Sequence, residues 1–114
     1  MSEKIIVIDD EPLILSSIER ALSKIGYEVT ATGSLEEFQK AIRSVKFDLV
    51  IMDLHMEGVN TGDLAAEAKR IMPSARFLTI SGSVPAVDSD HFLQKPFRID
   101  ALRERVREIL NEPS

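Results

Sequence analysis

Five side chains stand directly after short apolar runs. Asp9 and Asp10 follow KIIVI (4–8), Asp53 follows DLVIM (48–52), Ser81 follows RFLTI (76–80) and Lys95 follows HFLQ (91–94). If those runs are neighbouring parallel strands, three carboxylates, a hydroxyl and an ammonium meet at one rim, because open α/β sheets place their ligands at the carboxyl ends of the strands. Clustered carboxylates repel, and burial raises their pKa values. A hard divalent cation relieves both effects. Mg²⁺ (or Mn²⁺) takes oxygen ligands and keeps several waters, so one or two carboxylates hold it and leave room for phosphate oxygens. A cation with a lysine beside it neutralises charge on a phosphoryl group in transfer. A carboxylate can itself be the nucleophile and form an acyl phosphate. Taken singly, the residues have plainer readings: Asp53 as a turn or cap residue, Lys95 as a surface lysine, Ser81 as a loop hydroxyl. Their conjunction at strand ends points to chemistry.

The elements that must position these groups are legible as alternating patterns. KIIVI and DLVIM are continuous apolar runs, as in strands buried on both faces. EVTAT (28–32), RFLTI and HFLQ are weaker strand candidates. Between them lie helical periods. Ile14, Ile18, Ala21, Leu22 and Ile25 share a face, opened by Pro12 and closed by Gly26. Leu35, Phe38, Ala41, Ile42 and Val45 follow Ser34, with Glu37 completing a capping-box signature. Leu64, Ala68 and Ile71 end at Pro73, and Ile99, Leu102, Val106, Ile109 and Leu110 form the last stripe. This alternation predicts an α/β fold with a parallel sheet covered on both faces.

The bulk properties fit one domain spanning 1–114. The apolar share of 44% excludes a disordered tail, and the absence of cysteine excludes disulfides and thiolate metal sites. A net charge of -5 argues against direct nucleic acid binding. IIVI before DDE is too short for a signal-peptide core or a membrane span, so a cytoplasmic protein without membrane insertion is expected. No Gly-rich loop follows the first strand, which argues against dinucleotide binding.

One connection is short. Residues 82–90 alone separate the fourth and fifth strand candidates, whereas parallel crossovers usually take a dozen residues or more. Returning along a five-residue strand covers about 16 Å, and nine helical residues give only about 13 Å. A mostly extended strap is therefore expected, with at most a turn of helix after Pro85.

VIDDEP (7–12), DLVIMDLHM (48–56), TISG (79–82) and LQKPF (93–97) closely resemble the receiver domain of bacterial response regulators in two-component signalling and phosphorelays, the chemotaxis-regulator-like kind. The resemblance implies a flavodoxin-like three-layer sandwich with strand order 2-1-3-4-5, here with the family's fourth helix absent or reduced to a turn. It implies Mg²⁺-dependent transfer of a phosphoryl group from a phosphohistidine, on a sensor histidine kinase or phosphotransfer protein, to Asp53, which switches binding of an output partner. By the same carry-over, Asp10, Asp53 and the backbone carbonyl of His55 ligate the ion, and Asp9 holds it through water. Lys95 bonds the phosphoryl group, Ser81 moves to bond it, and Phe92 is the rotating aromatic of the switch. Pro96 follows a cis bond from Lys95. Such a protein is a signalling phosphoacceptor, limited to self-phosphorylation and autodephosphorylation, rather than a turnover enzyme.

The chain departs from the family pattern in three places. Glu57 stands where a proline is usual, and Gly62 falls one position late. Arg98 occupies the last helix's cap, with Asp100 in the first turn as compensation through the helix dipole. The Ser81-to-Lys95 segment is about two helical turns short. Val84, Val87 and the edge of the fifth strand are then expected to cover the sheet or meet a partner, and dimers through a fourth-helix face are not expected. His55 reads either as an imidazole tuning water access or as a solvated loop residue; Phe92 reads as a switch or as a static core aromatic. The short crossover also motivates an alternative, a receiver-like interaction module acting independently of phosphorylation. An aspartyl phosphatase on a similar sheet is disfavoured, because such enzymes carry Asp-x-Asp after the first strand.

Overall fold

Apolar and β-branched residues dominate the strands, and helices form where apolar positions recur every three or four residues. The computed structural model describes residues 2–83 and 91–113. In chain order the elements are β1 (Lys4–Ile8), α1 (Pro12–Ser23), β2 (Glu28–Thr32), α2 (Leu35–Ser44), β3 (Leu49–Asp53), α3 (Thr61–Ile71), β4 (Arg76–Ser81), β5 (Phe92–Gln94) and α4 (Ile99–Leu110). The sheet runs β2-β1-β3-β4-β5 with every pair parallel. The flavodoxin-like order expected from the sequence is the one adopted. Among the described residues no helix lies between β4 and β5.

Strand alternation sorts the core into two layers. Ile5, Val7, Leu49, Ile51, Leu78 and Ile80 face Ile18 and Leu22 of α1 and Leu102 and Val106 of α4. Ile6, Ile8, Val50 and Met52 face Phe38 and Ile42 of α2 and Leu64 and Ala68 of α3. β1 and β3 thus sit in the middle with apolar side chains on both faces, which explains their unbroken apolar sequence.

Local signals set the helix ends. Pro12 is the first residue of α1, and Gly26 closes the turn after it with φ 102°, a conformation that favours glycine. Ser34 caps α2 by accepting a hydrogen bond from the Glu37 amide at 3.2 Å. The reciprocal arm differs from the expected capping box, because the Glu37 carboxylate accepts from the Ser34 hydroxyl. α3 stops at Ile71, two residues before Pro73, and α4 starts without a side-chain cap from Arg98 but with Asp100 in its first turn. Ile25, Leu35, Val45 and Ile99, placed on buried stripes by periodicity, are all more than one-third exposed. Each lies at or just beyond a helix end.

The β4–β5 connection corrects one premise of the sequence reading. β5 has three residues, and Phe92 pairs with Thr79, Leu93 with Ile80 and Gln94 with Ser81. The chain therefore returns by two residues along the sheet, about 7 Å, rather than the full length of β4. A short crossover suffices because the strand it feeds is short. The expectations for Val84, Pro85 and Val87 lie outside the described residues.

Candidate functional site

Parallel register brings the predicted rim together. Asp53 is the last residue of β3 and is buried beside Ile80 of β4. Asp9 follows β1 and is also fully buried, its amide bonded to the Thr32 carbonyl. Lys95 follows β5, its amide bonded to the Ser81 carbonyl at 2.7 Å. The Lys95–Pro96 peptide is cis.

At the centre sits the Lys95 ammonium. Its Nζ donates to Asp53 Oδ2 at 3.1 Å and to Glu11 Oε1 at 2.7 Å, and it lies 3.1 Å from Asp9 Oδ2. Burial pushes this ammonium's pKa down, but the hydrogen bonds to Glu11 and Asp53 and the ion pair with Asp9 outweigh it, and the pKa lies above the ordinary lysine value. At Asp9, by contrast, burial wins. Its burial raises the carboxyl pKa, more than the Glu11 amide and Lys95 lower it, with the neighbouring Asp53 charge adding to the rise.

The remaining carboxylate contacts orient the cluster. Asp9 Oδ1 accepts from the Glu11 amide at 2.9 Å, and Asp53 Oδ1 accepts from the His55 amide at 3.0 Å. Asp10 is exposed, and its Oδ2 accepts from the Glu57 amide at 3.3 Å. One oxygen of each of Asp9, Asp10, Glu11 and Asp53 lies within 4.8 Å of the other three. Asp9 Oδ2 is buried, and the ammonium beside it is not aligned as a hydrogen-bond donor, so this oxygen has no hydrogen-bond partner. Crowded hard oxygens with one orphaned buried acceptor fit a divalent, oxygen-preferring cation.

The other predicted residues are placed as follows. Ser81 is buried at the end of β4, and its hydroxyl accepts from the Ser83 amide at 3.1 Å. The His55 side chain is exposed. Phe92 is half-buried and, among the described residues, packs into neither core layer; its carbonyl accepts from Arg105 at 2.7 Å. Sequence reasoning missed Glu11. A third acid directly after Asp9-Asp10 was a usable signal, but its position just before Pro12 reads as a helix cap. The structure shows no side-chain cap there, and the carboxylate bonds Lys95 instead.

Residues 5–107 match the response regulator receiver domain family. Among curated relatives, the transcriptional regulatory protein GlrR of Escherichia coli is 32% identical over 95% of this chain, which covers 26% of that protein. The chain spans about a quarter of the length of such relatives. Among solved structures, the receiver domain of the hybrid histidine kinase CckA is 32% identical with a TM-score of 0.83, covering 95% of this chain and 99% of that one. The response regulator TrrA of Thermotoga maritima, solved in complex with Mg(2+)-BeF, is 29% identical with a TM-score of 0.82, covering 94% and 98%.

Proposed function

The chain belongs to the response regulator receiver domain family of two-component signalling, a phosphoacceptor kind, and on that premise we propose that Asp53 is the residue phosphorylated. The donor is a phosphohistidine of a sensor histidine kinase or phosphotransfer protein. An Asp53 carboxylate oxygen attacks phosphorus, a P–O bond forms, and the P–N bond to the donor imidazole breaks with its electron pair returning to nitrogen. The observation that carries this reading is Lys95, whose ammonium already bonds Asp53 and lies against Asp9. It supplies positive charge where phosphoryl oxygens arrive.

Asp10, Asp53 and the His55 carbonyl would hold Mg²⁺, with Asp9 acting through water, and the ion would neutralise phosphoryl charge. The orphaned Asp9 oxygen supports that assignment, as does the complex of TrrA with Mg(2+)-BeF. Ser81 leaves the Ser83 amide to donate to the phosphoryl group, and Phe92 responds to that move. The chain acts as one domain over 1–114 in the cytoplasm and passes its state to an output partner. Among the described residues no helix is long and apolar enough to cross a membrane.

Incubation with a small-molecule phosphodonor and Mg²⁺ is expected to add one acid-labile phosphate, lost in Asp53→Asn. An unmodified chain under those conditions contradicts the reading. Partner affinity that ignores a phosphate mimic would instead support the phosphate-independent module.

A further inference from the structure

The loop after β3 contains an unusual donor. Met56 and Val59 form the ends of a turn closed by Val59 N–H to Met56 O at 3.2 Å, with Glu57 and Gly58 at its corners and Gly58 at φ 74°. No residue other than glycine has positive φ among the described residues, so Glu57 has a negative φ. That combination is a type II turn, whose second position favours proline. A proline there has no amide hydrogen. Glu57 does, and its N–H donates to Asp10 Oδ2 across 47 residues of sequence. The turn itself is anchored, because Met56 is buried in the layer under α2 and α3 and Val59 packs against it.

We propose that the Glu57 backbone amide is a positioning group for the cation site. It holds one oxygen of Asp10, so that the carboxylate stays within the Asp9, Glu11 and Asp53 cluster, and thereby couples divalent cation binding to the β3–α3 loop. Outer donors to ligand carboxylates commonly tune metal affinity in this way. The inference rests on the proposed Mg²⁺ site, but it concerns a group that no side-chain motif reveals. By reciprocity, an ion at Asp10 restricts the turn as much as the turn restricts Asp10.

The test compares Glu57→Pro with Glu57→Gln in titrations with MgCl₂ alone. Both variants remove the Glu57 charge, and only the glutamine keeps the amide hydrogen; the turn accepts either. Glu57→Pro is expected to bind Mg²⁺ about 3- to 10-fold more weakly than Glu57→Gln, the size of one exposed hydrogen bond to a charged group. Equal or tighter binding by the proline variant overturns the proposal and leaves the Mg²⁺ site standing. Absence of Mg²⁺ binding by the unsubstituted chain overturns both. A second readout needs neither metal nor a proline. Asp10→Ala should speed hydrogen exchange at the Glu57 amide in the metal-free protein, by NMR; unchanged exchange also overturns the proposal.

Discussion

β3 and β5 both end at the proposed phosphoryl site, yet they are built differently. β3 is five residues long, wholly buried, and paired on both sides by β1 and β4. β5 has three residues, one of them buried, and pairs with β4 alone over its last half. Even so, β5 delivers Lys95 to within 3.1 Å of the carboxylate that β3 delivers. Chemical positioning here therefore needs register at the strand end, not strand length. Three paired residues and the Lys95 amide bond to the Ser81 carbonyl place the lysine.

Core truncations should separate the two strands most widely. Ile51→Ala in β3 is expected to cost about 2–5 kcal/mol of unfolding free energy, because a fully buried site collapses poorly. Leu93→Ala in β5 should cost somewhat less, about 2–3 kcal/mol, because Leu93 keeps 9% of its surface exposed and its strand pairs on one side only. Chemical denaturation measures both, and equal costs would break the comparison.

The charges at the rim give a smaller effect with a defined sign. Burial raises the Asp9 pKa in the folded chain, so the folded state binds a proton more readily than the unfolded state does. Stability from this group is full below the unfolded value near 3.8 and is lost as pH rises through the higher folded value. Without metal, Asp9→Asn should therefore stabilise the chain at neutral pH, with the gain vanishing at low pH. Mg²⁺ should narrow the difference by binding the native acid. Thermal melts across pH, with and without Mg²⁺, test this; a destabilised Asp9→Asn chain at neutral pH would contradict it. Lys95 follows the same sign in a higher window: its folded pKa is also raised, so its contribution is full below the unfolded value of 10.5 and is lost as pH rises beyond it.

Glu11→Gln should have the smallest effect on stability. Its carboxylate is largely exposed, and such pairs contribute about 0–1 kcal/mol. A loss well above that range in chemical denaturation would mean that Lys95 depends on Glu11 for its placement rather than on the β5 register.

Much of this was legible in the sequence. Asp9, Asp10, Asp53 and Lys95 announced a rim because each follows an apolar run, and strand alternation does the rest. Pro12, Ser34 and Pro73 marked helix ends through backbone chemistry that needs no tertiary partner. What was not legible depends on partners far away in the chain. The length of β5 is set by how much of β4 it meets, which HFLQ cannot state. Glu11 reaches a lysine 84 residues on, and the Glu57 donor is a backbone group with no side-chain signature.

The central claim is that the Asp53 carboxylate itself becomes the acyl phosphate. After incubation with phosphodonor and Mg²⁺, borohydride reduction of the acyl phosphate and peptide mapping should show homoserine at position 53 and nowhere else. Homoserine at another aspartate, or none despite phosphate incorporation, would contradict the account.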